Sequence, residues 1–215
     1  MTIKLIGYSR SPYTLRVIEC LHELGLPYQL DSPANFQDLK SEDFLATKHP
    51  FGRIPVLIDD DFTIAESRPI CRYLATKYQG KHSDTILIPN DIYQASLVDQ
   101  YISYDISYYD PPITKIIYQE IRAKRNNETP DSAVVKQASE DLAKVLDVYE
   151  KLLKGKDYLN GEFSLADLFH CPTTYYVYSE VFPDLWNDRP NVKKWWDRLN
   201  NRPAWKKTLE DRDKN

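Results

Sequence analysis

The sequence predicts an α+β protein of two domains, an N-terminal one of order βαβ-α-ββα and an all-α helical bundle after it. Three observations predict this. Four short apolar runs with turn residues between them fall before residue 66, and no strand pattern follows. Helical periodicity separates those runs and then fills the rest of the chain. Between the halves, Gln79 to Asn90 turns polar and carries Gly80 and Pro89, the composition of a linker. The expected divisions are 1–79, a linker at 80–90, and 91–215.

Residues 2–7 read as the first strand and 12–25 as a helix, with Val17, Ile18, Leu21 and Leu24 on its repeat and Gly25 as its stop. Pro27 to Leu30 is a second strand, and a right-handed crossover makes it parallel to the first. Ser41 leads a short helical segment around Phe44 and Leu45. Ile54 to Ile58 is apolar throughout, as a central strand is. Asp59-Asp60-Asp61 turns it into Phe62 to Ala65. A helix then runs from Ser67 to about Tyr78. This order within about 80 residues is the thioredoxin-like arrangement.

In the second half, Asp91 to Tyr109 and Ile113 to Arg125 read as helices broken or kinked at Pro111-Pro112. Asp131 to Leu153 is a long amphipathic helix with Val134, Ala138, Leu142, Val145, Leu146, Tyr149, Leu152 and Leu153 on one side. Ser164 to Tyr178 is read as one helix. Val192 to Asn200 and Ala204 to Asp211 follow, each introduced by Arg-Pro.

The 215 residues carry a formal charge of −4, which argues against a nucleic-acid partner. No apolar run approaches the roughly 20 residues of a membrane helix, and the start passes into a strand without a secretory signal, so a cytoplasmic protein is expected. Cys20, Cys71 and Cys171 are odd in number and far apart, suiting a reducing compartment and neither a disulfide framework nor a metal site. The 16 tyrosines point to many half-apolar positions, as at interfaces or in aromatic pockets.

Ser11-Pro-Tyr-Thr is the stretch around which chemistry is expected. Strand, tight turn and helix N-terminus put the Ser11 hydroxyl beside unpaired backbone N–H groups and the positive end of a helix dipole. An anion is favoured there, whether phosphate, carboxylate or thiolate. In thioredoxin-like folds the same place carries a Cys-x-x-Cys pair. Here Ser11 and Thr14 stand instead, so an active thiol must come from outside the chain.

Pro55 stands at the mouth of the third strand. A trans loop proline is the ordinary reading, and a cis bond would let the Ile54 backbone pair with a peptide ligand. Glu66-Ser67 begins a helix, with Ser67 read as its N-cap. The pair serves either as a cap alone or as a holder of a ligand carboxylate and ammonium. Ser164-Leu-Ala-Asp167, flanked by Phe163 and Leu168, reads as a structural capping box. His22, His49, His82 and His170 are scattered, and no hydrolase triad is supported, because Ser11 lacks a Gly-x-Ser-x-Gly elbow. Tyr101, Tyr104 and Tyr108 share a helix face, either as core or as one wall of an aromatic pocket.

Taken together these stretches resemble a cytosolic glutathione transferase. The resemblance is carried by Ser11-Pro-Tyr-Thr-Leu-Arg-Val, His49-Pro-Phe-Gly-Arg-Ile-Pro-Val-Leu and Ala65-Glu-Ser-Arg-Pro-Ile-Cys-Arg-Tyr-Leu. Val98-Asp-Gln-Tyr and Tyr158-Leu-Asn-Gly-Glu-Phe-Ser-Leu-Ala-Asp-Leu extend it through the second half. It is most similar to the phi class of plants and fungi, by Pro-Phe-Gly before the proline and by Glu-Ser-Arg.

The resemblance implies a role for each matching position. Ser11 would hold the glutathione sulfur as thiolate, and Ile54, with a cis bond to Pro55, would pair with the cysteinyl backbone. Glu66 and Ser67 would bind the γ-glutamyl end, and Lys40 and Arg53 the glycyl carboxylate. Tyr104, Tyr108 and Tyr109 would wall an electrophile pocket. Phe51 would insert into the partner of a homodimer. Arg53 stands where the family usually has Gln, and Leu39 where it often has His. Tyr8 lies near where other classes place a catalytic tyrosine, and Ser11 is preferred for its helix terminus.

The implied activity is conjugation of glutathione to small hydrophobic electrophiles, with peroxidase activity as an addition, glutathione as co-substrate and no metal. A non-catalytic carrier or regulator of the same fold is the alternative. A thiol oxidoreductase is disfavoured by the serine. Lowering a thiol pKa from about 8.5 by about two units takes roughly 2.7 kcal/mol. A hydroxyl donor to a charged acceptor gives roughly 1.5–3 kcal/mol and a helix terminus about 0.3–1, so the two suffice.

Overall fold

The computed structural model describes residues 3–214. Thr2, where the first strand is expected to begin, lies outside them. The chain divides into two compact units, Met1–Ile88 with Arg202–Asn215, and Pro89–Asn201.

The first unit is built on a four-stranded mixed sheet of order β2-β1-β3-β4. Strand β1 (Ile3–Ile6) pairs parallel with β2 (Tyr28–Asp31) and antiparallel with β3 (Val56–Asp59), which pairs antiparallel with β4 (Phe62–Ala65). The parallel pair is the one the crossover through α1 (Pro12–Glu23) requires, and β3 is an inner strand as its apolar run predicts. Ser41 caps α2 (Glu42–Thr47), accepting from the Phe44 N–H. Helix α3 (Ser67–Tyr78) closes the thioredoxin-like order.

Residues Thr14 to Leu21 of α1 are all buried, the signature of a helix covered on every side. The sheet cannot supply that cover alone. Helix α3 and the C-terminal α11 (Pro203–Lys214) both pack on α1. Arg202 binds Glu23 through two bonds of 2.5 and 2.8 Å, and Asp211 accepts from Tyr28 and pairs with His22. The expectation that residues from 91 onward form one helical domain is therefore corrected: from Arg202 the chain belongs with the first unit. The first unit also runs on to Ile88, where Gln79 holds the segment by bonds to Leu87 and Ile88.

The described residues of the second unit hold no β-strand, only an isolated bridge between Asn160 and Glu162, and the unit's α-helices are α4 (Ile92–Tyr104), α5 (Asp110–Ile116), α6 (Ser132–Leu152), α7 (Leu165–Leu168), α8 (Cys171–Glu180), α9 (Asp184–Asn187) and α10 (Pro190–Asn200). Pro111 and Pro112 do not separate two helices as expected. The chain stays helical past them because Asp105–Tyr109 forms a π-turn just before α5, which places the prolines in α5's first turn. Ser164 to Tyr178 is likewise two helices, interrupted at Phe169 and His170, with Pro172 in the first turn of α8. The capping box is present in full. Asp167 accepts from the Ser164 N–H and hydroxyl, and also from the Leu159 N–H and the Trp195 indole of α10. No described helix is long and apolar enough to cross a membrane.

Candidate active site

Sheet register brings three of the expected stretches, those of Ser11, Ile54-Pro55 and Glu66-Ser67, to one end of the sheet. Ile6 faces Val56, and Val56 faces Ala65, in one row across β1, β3 and β4. The segment leaving β1 toward Ser11, the segment entering β3 through Ile54 and Pro55, and the segment leaving β4 at Glu66 therefore share one end of the sheet. Ile6, Ile54 and Ala65 pack on a common cluster of Leu39, Phe44 and Val56. Three stretches far apart in sequence meet there because antiparallel pairing sets the end of one strand beside the start of the next.

Ser11 is the N-cap of α1, half-buried, in extended conformation. Its backbone N–H donates to Tyr8 O at 2.9 Å, so the turn is closed by main chain. Its Oγ accepts from the Thr14 N–H over 3.5 Å, the long limit of a hydrogen bond. That contact uses only a lone pair. The hydroxyl proton remains to be donated, next to the positive end of the helix. Tyr8 packs its ring against Phe36 at 5.2 Å. Burial and then the Asp38 charge push its phenol pKa up, away from the tyrosinate.

The Ile54–Pro55 bond is cis. The ladder of β3 begins at Val56, which leaves Ile54 just ahead of it. Upstream, the loop is tied by two side chains. Lys40 donates from Nζ to the carbonyls of Phe51 (2.9 Å) and Gly52 (3.2 Å), leaving one of its three N–H groups. His49, 3% exposed, accepts the Phe51 N–H at Nδ1 over 3.1 Å. Gly52 sits at φ 58, and a Cβ there would lie 2.4 Å from the Leu39 carbonyl oxygen. Arg53 is exposed, and the Phe51 ring is 75% exposed although apolar.

At the third segment one expectation needs correction. Ser67 is the first residue of α3 and not its cap. The cap position belongs to Glu66, at φ 71 and ψ 122, with no side-chain capping bond. The Ser67 hydroxyl instead accepts from Nη1 of Arg16 at 3.0 Å, both residues being buried. The Glu66 carboxylate is 67% exposed and meets His49 Nε2 through Oε1 at 3.2 Å. Arg16 and His49 were not expected among the site residues. The available signal for Arg16 was a charge set inside the apolar repeat Leu15, Val17, Ile18, whereas His49's partner 17 residues away has no local signature.

In the helical unit, Tyr104 is half-buried and contacts Tyr101 and the exposed Tyr108, with centroids 5.8 and 6.2 Å apart. Tyr109 does not wall an open pocket as expected. It is fully buried, its hydroxyl shares a 2.6 Å bond with Thr174, and its ring packs on Tyr149 and His170. The π-turn that carries it rotates it into the core. Cavities of about 440 Å³ at Tyr118–Asp131 and about 580 Å³ beside His22, Tyr28 and Asp211 are lined by none of the expected site residues. Among the described residues no three His, Cys, Asp or Glu side chains gather as a metal site would require.

Two family models match the chain: residues 5–82 match the one described as glutathione S-transferase, N-terminal domain, and residues 97–203 the corresponding C-terminal domain. The chain is 40% identical over 210 residues to glutathione S-transferase F13 of Arabidopsis thaliana, covering 96% of this chain and 94% of that protein. Among solved structures it is similar to glutathione transferase F7 from Populus trichocarpa, with 39% identity, TM-score 0.91, and 98% and 99% of the two chains covered. It is also similar to glutathione S-transferase I from mais in complex with an atrazine glutathione conjugate, with 33% identity, TM-score 0.88 and 98% of each chain covered.

Proposed function

This chain belongs to the glutathione S-transferase family, and we propose that it conjugates glutathione to small hydrophobic electrophiles with Ser11 as the catalytic hydroxyl. The observation that carries this reading is the Ile6, Val56, Ala65 row, with Ser11 at a helix N-terminus on the same end of the sheet. A tripeptide with an ammonium, a thiol and two carboxylates fits the groups at hand. Glu66 takes the γ-glutamyl ammonium, and Ser67 with the N-terminus of α3 takes the adjacent carboxylate. The Ile54 main chain, ahead of Pro55, pairs with the cysteinyl unit. Lys40 and Arg53 meet the glycyl carboxylate, Lys40 with the N–H its loop bonds leave over.

In that position Ser11 donates its proton in a hydrogen bond to the thiolate and holds the sulfur anionic, helped by the α1 dipole. The co-substrate supplies the nucleophilic sulfur, which forms a C–S bond as the electrophile's leaving group departs with its electron pair. Tyr104 and Tyr108 offer aromatic surface for an apolar, planar partner. The chain pairs with a second copy, the exposed Phe51 ring inserting into the partner, and it works in the cytoplasm, consistent with three free, buried cysteines. A single monomeric species in sedimentation at micromolar concentration would contradict the pairing.

Steady-state assays with a generic aryl halide test the catalytic assignment. Ser11→Ala is expected to lose about 10–100-fold in kcat, the worth of one charge-assisted hydrogen bond, while Tyr8→Phe stays within about threefold. The reverse pattern would move the role to Tyr8.

A further inference from the structure

The geometry points to His49 as a positioning residue that holds the Glu66 carboxylate for glutathione through a single fixed tautomer, and this rests on the reading that Glu66 binds the γ-glutamyl ammonium. His49 lies in the loop between α2 and the cis proline. Its own backbone is fixed at both ends, the N–H donating to Phe44 O at 3.0 Å and the carbonyl accepting from Gly52 N at 2.8 Å. The ring is buried.

The tautomer follows from one contact. The Phe51 backbone N–H can only donate, and it points at Nδ1 over 3.1 Å, so Nδ1 presents a lone pair. The single ring proton is then on Nε2, which faces Glu66 Oε1 at 3.2 Å. A doubly protonated ring would make an ion pair with Glu66 but would turn Nδ1 into a donor facing a donor. The neutral ring donating to the carboxylate is the arrangement that satisfies both partners.

Glu66 needs such a holder. Its backbone is fixed at φ 71 at the cap of α3, yet its side chain makes no capping bond and stands two-thirds in solvent. Without His49 the carboxylate would sample many rotamers, and a ligand would have to order it on binding. With Oε1 held, Oε2 is presented to an incoming ammonium. The same ring grips the Phe51 amide of the loop whose carbonyls Lys40 holds. One imidazole thereby links the γ-glutamyl side of the site to the loop that leads to Ile54.

Three substitutions separate these contacts. Glutamine places a donor near the Nε2 position, asparagine places an acceptor near the Nδ1 position, and alanine offers neither. Glutathione affinity is read by calorimetry, and KM and kcat with an aryl halide. His49→Ala is expected to weaken glutathione binding and raise its KM by about tenfold, with kcat changed less than about twofold because Ser11 is untouched. His49→Gln should return KM to within about threefold, and His49→Asn should not. In a Glu66→Ala background, His49→Asn, which keeps an acceptor for the Phe51 amide, should shift KM no further.

The proposal is overturned if KM is unchanged in His49→Ala, if asparagine rescues and glutamine does not, or if the Glu66→Ala and His49→Asn effects add. It is also overturned if KM and kcat deteriorate together in step with lost thermal stability, which is what a purely structural histidine would give. Should His49→Ala not fold, the glutamine and asparagine variants alone decide between Glu66 and the loop. Wild-type binding is measured first: no binding there sinks the glutathione reading itself, whereas wild-type binding with unaffected His49 variants sinks only this inference.

Discussion

The Arg16 guanidinium of α1 donates to the Ser67 hydroxyl at the first turn of α3 over 3.0 Å, with both residues buried. The bond spans 51 residues and joins the helix that begins beside Ser11 to the helix that begins beside Glu66. Cys71 of α3 adds a second link, its thiol donating to the Arg16 carbonyl at 3.5 Å. The two helix N-termini on which the site depends are thus held by a buried charge and not by apolar packing alone.

Arg16→Ala is therefore expected to destabilise by about 3–5 kcal/mol, because the packing of a large buried side chain is lost together with its charge-assisted hydrogen bond. Ser67→Ala should cost less, about 1–3 kcal/mol, because the Arg16 side chain stays packed and its guanidinium keeps the Tyr13 ring at 5.5 Å. The double variant should fall short of the sum. Urea titrations of the four proteins check this, and full additivity would mean the two side chains act independently.

Asp167 gathers four donors inside the helical unit, from Leu159, Ser164 twice and Trp195. Asp167→Asn turns an NH2 group toward some of them and should cost about 2 kcal/mol or more at pH 7. Burial pushes the carboxyl up to about 6, against the pull of those donors. The folded state thus holds this proton more tightly than the unfolded chain, whose Asp titrates near 3.9. This group's contribution to stability is full below about pH 4, falls as pH rises through about 6, and is level above. The stability difference between wild type and Asp167→Asn should accordingly be larger at pH 4.5 than at pH 7. A difference that grows with pH would contradict it.

Gly52→Ala should be disproportionately harmful for one methyl group. The position has φ 58, and the new Cβ would meet the Leu39 carbonyl at 2.4 Å and Lys40 Nζ at 2.8 Å. A loss of about 1–3 kcal/mol is expected, as for a non-glycine residue in this backbone region. Because Lys40 is displaced from the loop, KM for glutathione should rise more than kcat falls. Equal effects on both would show that the loop is only a structural element.

Much of this was legible in the sequence, where the signal was local. Residues 2–7 and Ile54 to Ile58 read as strands because short apolar runs ended in turn residues, close to the observed Ile3–Ile6 and Val56–Asp59, and Ser41 read as the residue leading the short helix that it caps. The errors have a common origin in partners distant along the chain. Ser67 has the chemistry of an N-cap, but Arg16 takes its hydroxyl and Glu66 takes the cap position. Tyr109 looked like its neighbours Tyr104 and Tyr108 until a π-turn sent it inward to Thr174. The last helix repeats like the other C-terminal helices, and only Glu23, His22 and Tyr28 reveal that it belongs with the sheet. Periodicity reports which face of a helix is apolar, not which element covers it.

The most direct test of Ser11 as thiolate holder is the titration of bound glutathione by its thiolate absorbance. In the wild-type protein the midpoint should lie about two units below the ordinary thiol value near 8.5. In Ser11→Ala, at saturating glutathione, most of that shift should disappear, while Tyr8→Phe should keep it. A midpoint that stays low in Ser11→Ala would contradict the account.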